Sequence, residues 1–354
     1  MSPVLPEYCV IVPEGRGYKM HELRESAGYT ANSFVVIPYC NPEKENPVPR
    51  FFEIVETRSI DIPLSDVPVQ KTKLVSKTPK ARYLQTVREL LAEIQQGNIY
   101  EINYCMEFYR ESVKTNPLEV FVKLDKFAGA PYTALVKLGD EHIISASPEL
   151  FLRKQGGDLY TKPIKGTAKR DADPERDKEL KENLFNSLKE RTENVMAVDV
   201  ARNDLSQVAT RGSVHVNKLY NIESYENVHQ MVSTVSCKLQ PAAGFEDIIK
   251  ATFPMASMTG APKISAMDLT DRREDFNRGF YSGAMGFIDN KGDFELWVVI
   301  RSVFYNSGTK RLSIAVGGAI TYLSEPLTEY RECLLKAKNM MSALNAELDE
   351  DPEL

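Results

Sequence analysis

Apolar and polar positions along the chain form short alternating segments in some stretches and helical repeats in others. Residues 1 to about 75 alternate in short segments broken by a Pro-rich stretch, which predicts a small β-rich N-terminal region, and the polar residues 69–80 indicate a linker. From residue 78 to Gly97 the apolar positions recur at helical spacing, and a strand is expected to follow. We therefore expect one region over residues 1–77 and a second, larger domain over residues 78–354.

The last third of the chain is rich in strands joined by turn sequences. A turn at residues 289–292 joins an alternating segment at 283–288 to one at 294–304, and a second turn at 306–308 leads into a strand at 312–316. Strands that follow strands, with the helices grouped between them, are typical of an α+β fold. The pattern predicts large antiparallel β-sheets flanked by helices rather than a parallel doubly wound sheet.

One predicted helix carries an acidic face among apolar side chains. Ser187 stands three residues before Glu190, which is the spacing of a capping box, so a helix is expected to begin there. Glu190, Glu193 and Asn194 then fall on one face, together with Ala197. Burying two carboxylates beside apolar residues is costly, so this face is expected to meet a cation.

A second helix, near the C-terminus, repeats this arrangement. Glu329, Glu332 and Lys336 share one face of it. Its core stripe is apolar and consists of Leu327, Tyr330, Leu334, Met341 and Leu344. Either helix alone would indicate a solvated face with i,i+4 ion pairs. Two such helices in one chain favour a shared site.

Composition narrows the ligands of such a site. The chain has 44 Lys and Arg against 50 Asp and Glu, and its net charge of −6 disfavours nucleic acid or an anionic membrane as the main partner. Only four histidines are present, and no Cys/His spacing suits zinc. Carboxylates from two helices suit Mg²⁺, and with Lys336 and Arg301 nearby the site would bind a small polycarboxylate.

The cysteines and the N-terminal residues indicate the compartment. Five cysteines without a C-x-x-C pair are typical of free thiols in a reducing environment. The first residues lack the basic and apolar segments of a signal peptide, and no apolar run is long enough to cross a bilayer. The expected location is the cytoplasm.

Seven motifs occur in one order between residues 80 and about 345. They are Ser-Pro-Glu-Leu-Phe-Leu at 147–152, Pro-Ile-Lys-Gly-Thr at 163–167, the segment 193–204 ending in Arg-Asn-Asp, Thr-Gly-Ala-Pro-Lys at 259–263, Tyr-Ser-Gly at 281–283, Ile-Arg at 300–301 and Glu-Tyr-Arg-Glu at 329–332. Together they resemble the chorismate-utilising enzymes, which include anthranilate, aminodeoxychorismate, isochorismate and salicylate synthases. The resemblance implies the fold of anthranilate synthase component I, with residues 78–354 as the chorismate-binding catalytic domain.

The resemblance also implies a set of site residues. By this resemblance, Glu193 and Glu332 would be ligands of an Mg²⁺ ion, and Glu190 and Glu329 would be neighbouring or water-bridged carboxylates. The carboxylates of chorismate would be bound by Tyr281, Arg301, Lys336, the amides of Gly317 and Gly318, and Ser257. The resemblance places four residues at the reacting end of the substrate: Glu149 as general acid, His229, Thr167 and Lys165. Taken alone, each has another interpretation: Arg301 as a strand-end surface residue, His229 as a core histidine, and the two glycines as a β-bulge.

Lys165 decides which branch of the family the chain resembles. The other branches usually have alanine here, whereas Pro-Ile-Lys-Gly-Thr is similar to aminodeoxychorismate synthase component I. In that branch the lysine adds to C2 of chorismate as hydroxide leaves C4, and ammonia then replaces it at C4. An attacking amine must be neutral, so burial and neighbouring cations are expected to lower the pKa of Lys165. In the pentapeptide alone, a solvent-exposed turn lysine is the alternative.

Glu101 departs from the pattern of every branch. Isochorismate and salicylate synthases have a lysine base in this strand, and the amino branch usually has glutamine. The absence of that lysine disfavours water attack at C2, but the role of Glu101 itself is left open.

The source of nitrogen is expected to be another protein. No Gly-x-Cys-x-Gly nucleophile surrounds any cysteine, which implies a separate glutamine amidotransferase subunit that supplies ammonia. The resemblance then implies synthesis of 4-amino-4-deoxychorismate for p-aminobenzoate and folate. The alternatives are an anthranilate synthase component I and a non-catalytic chorismate-binding subunit.

Overall fold

Nineteen strands, seven α-helices and one 3₁₀ helix form the part of the chain that the computed structural model describes, which is residues 4–15, 17–42, 44–63, 71–225 and 228–349. The strands are β1 (Tyr8–Glu14), β2 (Gly17–Ser26), β3 (Ser33–Ile37), β4 (Arg50–Ile60), β5 (Thr72–Ser76), β6 (Glu101–Arg110), β7 (Tyr132–Leu138), β8 (Glu141–Ser147), β9 (Leu150–Gln155), β10 (Asp158–Thr161), β11 (Ile164–Lys169), β12 (His215–Ser224), β13 (Val228–Lys238), β14 (Gly260–Ala261), β15 (Ala284–Ile288), β16 (Phe294–Val298), β17 (Ser302–Asn306), β18 (Arg311–Thr321) and β19 (Ala346–Leu348). The α-helices are α1 (Lys80–Gln95), α2 (Pro117–Ala128), α3 (Pro174–Asn186), α4 (Leu188–Ser206), α5 (Phe245–Thr252), α6 (Lys263–Arg273) and α7 (Pro326–Leu344), and the 3₁₀ helix is Ala256–Met258.

The strands form two branches of one sheet that meet at β4. The first branch runs β5–β6–β18–β17–β8–β7–β1–β2–β4, with β14 added to β6. The second runs β4–β3–β15–β16–β9–β10–β13, and both β11 and β12 pair with β13. All of these pairs are antiparallel, and among the described strands only β19 with β5 is parallel. The predicted α+β class with large antiparallel sheets is confirmed.

The N-terminal strands belong to both branches. β1 pairs with β7, and β3 pairs with β15, so these two N-terminal strands are hydrogen-bonded to strands far along the chain. The predicted boundary between residues 77 and 78 stays a prediction. The predicted linker is wrong over Thr72–Ser76, which is β5 and pairs with β6 and β19. Of that segment, residues 69–70 lie outside the described residues.

Helices cover the two branches and bring their polar faces together. α1, α2 and α7 pack with the first branch. The ring centroid of Tyr83 in α1 lies 5.1 Å from that of Tyr104 in β6 and 5.4 Å from that of Tyr330 in α7. α4 packs on β13 of the second branch and on α5. Each helix therefore buries its apolar side on its own branch. The remaining faces of α4 and α7 meet at Lys189 and Glu329, whose charged atoms lie 3.2 Å apart.

The starts of the two acidic helices follow their capping residues. Ser187 Oγ accepts a hydrogen bond from the amide of Glu190 at 3.4 Å, as its spacing predicted. At α7, the Glu325 carboxylate accepts one from the amide of Thr328 at 2.7 Å, and Pro326 occupies the first turn. These caps fix the first turns, and the carboxylates that follow one turn later are positioned with them.

The single strand predicted over residues 294–304 is wrong. β16 ends at Val298 and β17 begins at Ser302, because the chain leaves the second branch at this point and enters the first. A similar crossing joins β8 to β9 in the opposite direction. The Val298 amide donates to the Glu149 carbonyl at 3.1 Å, and the Ala146 amide donates to the Arg301 carbonyl at 3.2 Å, so the two crossings are hydrogen-bonded side by side.

Candidate active site

Lys165 lies in a β-bulge of β11. The register with β13 shifts between Ile164 and Thr167, and Gly166 has a φ of 82°. A Cβ at Gly166 would lie 2.8 Å from a carboxylate oxygen of Glu190, so glycine allows α4 to approach. The bulge turns the Lys165 side chain inward, where the residue is 8% exposed. The alternative of a solvent-exposed turn lysine is therefore wrong.

The partner of Lys165 is Glu101. Nζ lies 2.5 Å from Glu101 Oε1, and Glu101 is 3% exposed at the start of β6. Burial alone would lower the pKa of Lys165, but the carboxylates of Glu101, Glu193 and Glu149 outweigh it and raise the pKa above its ordinary value. The expected lowering of this pKa is thus wrong for the free protein, because the nearest charge is an anion.

Glu149 lies in the crossing from β8 to β9. It is 5% exposed, and burial raises the pKa of its carboxyl to about 7, against the opposing effects of Ser257 and Lys165. The carboxyl is therefore partly protonated near neutral pH and can donate a proton. It lines a small cavity that also borders Ser257, Thr252 and Asp204.

Arg301 lies in the crossing from β16 to β17. Its φ of 53° is a left-handed conformation that is rare for a residue with a side chain. Nη1 donates to the carbonyl of Lys336 in α7 at 3.2 Å. Burial lowers the pKa of Arg301, and the charges that oppose this effect include Glu332 and Glu149. The guanidinium thus reaches from the crossing to α7, and Glu332 and Glu149 are close enough to influence its charge, so Arg301 is not a simple surface residue at the end of a strand.

Gly317 and Gly318 bring β18 close to α7. The register of β18 with β6 continues unbroken through both residues, so the β-bulge alternative is wrong. Lys336 Nζ donates to the Gly317 carbonyl at 2.9 Å and to Glu332 Oε1 at 2.7 Å. A Cβ at Gly318 would lie 3.4 Å from Glu329 Oε2, so the absent side chain leaves room for this carboxylate.

The predicted meeting of the two acidic helices is present, and a lysine stands at its centre. Lys189 Nζ lies 3.2 Å from Glu329, 3.9 Å from Glu193 and 4.0 Å from Glu332. Glu190 is partly buried beside them, and burial raises the pKa of its carboxyl. Sequence reasoning assigned no role to Lys189, although its i,i+4 spacing to Glu193 was a signal that could have found it.

The donor atoms of this cluster fit a hard cation. Glu193 Oε1 and Glu329 Oε2 are buried without a hydrogen-bond partner, and burial raises the pKa of Glu193 to about 7. No three His, Cys, Asp or Glu side chains of the described residues already form a metal site. Mg²⁺ does not require one, since it takes one or two carboxylates and completes its shell with water and substrate. The Mg²⁺ site stays a prediction.

Four other candidates have different surroundings. Tyr281 is 3% exposed and Ser257 is 6% exposed, the latter in the 3₁₀ helix. His229 has both ring nitrogens engaged, with Ser224 Oγ at 2.8 Å and Asp177 Oδ1 at 3.0 Å. The Thr167 residue is exposed. Neither partner of His229 is among the site residues, and the catalytic roles of His229 and Thr167 stay predictions.

One buried ion pair near the site was not foreseen. Lys263 Nζ lies 2.6 Å from Asp204, which is 5% exposed and has its pKa raised to about 6 by burial. Each residue belongs to one of the seven motifs, so this pair brings the two motifs into contact. It joins the end of α4 to the start of α6 at the wall of the cavity that Glu149 also lines.

Comparison with known proteins places this geometry in a family. The chorismate binding enzyme family matches residues 36–342. The chain belongs to this family. It is 41% identical over 265 residues to an aminodeoxychorismate synthase of Streptomyces pristinaespiralis, covering 74% of this chain and 36% of that protein. It is 34% identical over 269 residues to aminodeoxychorismate synthase component 1 of Salmonella typhimurium, covering 76% and 59%.

Other chorismate-binding enzymes are also similar to it. Anthranilate synthase component 1 of Saccharolobus solfataricus is 37% identical over 265 residues, covering 75% of this chain and 62% of that protein. Anthranilate synthase component I of Streptococcus pneumoniae has a TM-score of 0.76 at 23% identity, covering 94% and 89%. The menaquinone-specific isochorismate synthase of Escherichia coli has a TM-score of 0.75 at 16% identity, covering 95% and 88%. The expected fold is confirmed by these structures.

The length of the relatives and the helices of this chain add two further facts. The chain spans less than two thirds of the length of each curated relative named above. Among the described helices, none is both long and apolar enough to cross a membrane.

Proposed function

We propose that this chorismate-binding enzyme acts as aminodeoxychorismate synthase component I. It would convert chorismate and ammonia to 4-amino-4-deoxychorismate and water, for p-aminobenzoate and folate synthesis. The observation that carries the proposal is Lys165, a buried lysine that the bulge of β11 directs into the site where the sister branches usually have alanine. The two aminodeoxychorismate synthases named above support it.

The cationic side chains are suited to bind the substrate. Chorismate carries two carboxylates, and Arg301 and Lys336 lie on adjoining elements, linked through the hydrogen bond between Arg301 and the Lys336 carbonyl. A guanidinium binds a carboxylate through two parallel hydrogen bonds, which fixes orientation as well as charge. Tyr281, Ser257 and the amides of Gly317 and Gly318 complete the proposed contacts.

The reacting end is proposed to use Lys165 and Glu149. The neutral amine of Lys165 bonds to C2, the ring double bond shifts, and the C4–O bond breaks. Glu149 donates a proton so that the hydroxyl leaves as water, a role that its raised pKa of about 7 supports. Ammonia then bonds to C4, the C2–N bond breaks, and Lys165 is released. The emerging C4 ammonium returns one proton to Glu149.

The proposed metal ligands are Glu193 and Glu332, with Glu190 and Glu329 beside them. When bound, Mg²⁺ would hold the ring carboxylate of chorismate and neutralise its charge. In the free protein Lys189 and Lys336 neutralise this region. Burial lowers the pKa of Lys189, but its three carboxylate neighbours outweigh this effect and raise the pKa above its ordinary value.

Ammonia is proposed to come from a separate glutamine amidotransferase. The name "component 1" of the Salmonella relative supports a partner protein. All five cysteines are buried and free, which supports the cytoplasm as the location. We expect the purified chain to use ammonium and not glutamine. Turnover with glutamine alone would contradict this expectation.

Product analysis tests the proposed function. The purified chain is incubated with chorismate, Mg²⁺ and ammonium at mildly alkaline pH, with and without an added 4-amino-4-deoxychorismate lyase. The proposal predicts p-aminobenzoate only when the lyase is present. Fluorescent anthranilate without the lyase would instead assign the chain to the anthranilate branch, which the Saccharolobus relative represents. Binding of chorismate without any product would indicate a non-catalytic subunit.

A further inference from the structure

The ion pair of Lys165 and Glu101 is isolated from water. Their side chains are 8% and 4% exposed, and Nζ to Oε1 is 2.5 Å. Glu101 has a fixed backbone, because β6 pairs at this residue with Thr321 of β18 and with Ala261 of β14. The backbone that carries the carboxylate is therefore fixed, and the carboxylate contacts the atom that the proposed function makes the nucleophile.

An ammonium ion cannot form a bond to carbon until it loses a proton. In a buried site water is a poor acceptor for that proton, so the acceptor should be a neighbouring base within hydrogen-bond distance. Four other carboxylates influence the charge around Lys165: Glu149 at the strand crossing, Glu190 and Glu193 on α4, and Glu332 on α7.

These four carboxylates have other tasks in the proposed reaction. Glu149 is needed in its protonated form as the acid for the leaving hydroxyl, so it cannot also accept a proton at that step. Glu332 is paired with Lys336 at 2.7 Å, and Glu190 and Glu193 face the proposed cation site. Among the described carboxylates, only that of Glu101 forms an ion pair with Lys165.

We propose that Glu101 accepts the proton of Lys165 as Nζ bonds to C2, and returns it when the lysine is released. This inference deepens the proposed function and rests on it. In the first step the proton moves from Nζ to Oε1, which leaves a neutral amine and a neutral carboxylic acid. In the last step the C2–N bond breaks, its electron pair returns to Nζ, and the proton moves back. The pair starts and ends as ammonium and carboxylate, so no outside base is consumed.

Glu101→Gln is the variant that separates proton acceptance from hydrogen bonding. The amide oxygen can still accept a hydrogen bond from Lys165, but it cannot take the proton. Glutamine is also the residue that the amino branch usually has here, so the variant measures how far this chain depends on having a carboxylate in its place. The lysine of this variant must lose its proton to solvent. We therefore expect kcat/KM at pH 7 to fall about a hundredfold, in the range of general-base effects. We also expect it to rise with pH relative to wild type.

The experiment measures kcat/KM for chorismate from pH 6 to 9.5 with Mg²⁺ and ammonium, expressed against the concentration of free ammonia. Glu107→Gln is the matched control, because Glu107 is a buried carboxylate on the same strand that pairs with Arg311 at 2.9 Å. This control should keep the wild-type profile. Glu101→Asp keeps a proton acceptor at shorter reach, so it should be slower than wild type without the new dependence on pH.

The outcomes separate this inference from the function it rests on. If wild type makes 4-amino-4-deoxychorismate and Glu101→Gln keeps its rate and pH profile, Glu101 is not the acceptor. If Glu101→Gln does not fold by circular dichroism, a Glu101→Asp profile that rises with pH overturns the inference in the same way. If wild type makes no 4-amino-4-deoxychorismate at any pH, the proposed function itself has failed.

Discussion

Two buried ion pairs reach the same strand, β6, and they are built differently. Arg278 and Glu274 have side chains 2% and 3% exposed, and the guanidinium contacts both carboxylate oxygens, at 2.7 and 2.8 Å. It also donates to the carbonyls of Met258 and Asn103, at 2.8 and 2.9 Å. The ammonium of Lys165, by contrast, has three protons to donate, and its described hydrogen bond goes to Glu101 alone.

The difference indicates which pair maintains the fold and which one is available for chemistry. A buried charge is stable when all its donors are used, and Arg278 additionally lies over the ring of Tyr39 at 4.6 Å. These contacts all stabilise the protonated guanidinium, so Arg278 is expected to stay charged. A lysine with one short contact can pass a proton along that contact and turn its nitrogen towards a substrate.

The largest expected effect is on turnover, from the Lys165→Ala variant. Ammonium-dependent synthesis should fall by about a thousandfold or more, because the group that forms the covalent bond is lost. Chorismate affinity should change little, because Arg301 and Lys336 supply the carboxylate contacts. Steady-state kinetics and calorimetry measure the two quantities.

The control for this variant is Lys162→Ala, in the same segment. Lys162 pairs with Glu223 at 3.2 Å near the surface, and its loss should leave turnover within about twofold of wild type. If Lys165→Ala aminates chorismate at the wild-type rate, Lys165 has a structural role, as Arg278 does, and is not the nucleophile.

The next effect is on stability, and it compares the two pairs directly. The double variant Arg278→Met with Glu274→Gln should lose about 3–5 kcal/mol of unfolding free energy, since the carbonyls of Met258 and Asn103 lose their donor. The double variant Lys165→Met with Glu101→Leu should stay within about 1 kcal/mol of wild type, because it replaces both partners by apolar side chains and leaves no buried polar group unpaired. Urea unfolding measures both. Equal losses in the two double variants would remove the distinction between the pairs.

A smaller loss is expected for Glu193→Ala. Mg²⁺-dependent turnover should fall about a hundredfold, because one of two proposed ligands is removed. The protein should stay folded, since Glu193 is a buried carboxylate whose Oε1 has no hydrogen-bond partner, and its removal relieves repulsion. Activity is measured against Mg²⁺ concentration, with unfolding as the control. Full wild-type activity in the presence of EDTA would contradict the metal site.

The smallest effect is a pH dependence from Glu149. Because burial raises its pKa to about 7, the carboxyl holds its proton below this pH and loses it above. As an acid it is active when protonated, so kcat/KM in wild type should fall above pH 7, by up to about tenfold per pH unit. Glu149→Gln should be slower and should lack this decline. A decline of the same shape in the glutamine variant would assign the titration to another group.

Sequence patterns predicted the parts of this molecule that depend on local spacing. The cap at Ser187, the shared face of Glu329 and Glu332, and the antiparallel class follow from periodicity and turn residues. They also predicted that the acidic face of α4 would meet a cation. The cation is Lys189, which lies one turn earlier on the same helix. Its position at this acidic face depends on how α4 and α7 pack together, which periodicity does not predict.

The parts that were missed depend on contacts between distant residues. Glu101 and Lys165 are 64 positions apart, and the sign of the lysine's pKa change follows from that contact rather than from burial. The break at Arg301 arises because the chain changes from one branch of the sheet to the other. Residues 296–300 form a continuous apolar run, and Val303 and Phe304 follow soon after, as in one long buried strand, so the pattern did not predict the break.

The central claim is that Lys165 bonds to the substrate, and one measurement tests it directly. Wild-type protein is mixed with chorismate and Mg²⁺ without ammonia, quenched, and analysed by intact mass and by peptide mapping. We predict an added mass equal to chorismate less one water, on the peptide that contains Lys165, which disappears when ammonium is added before the quench. An unmodified Lys165 peptide in a sample that makes 4-amino-4-deoxychorismate as soon as ammonium is supplied would contradict the account.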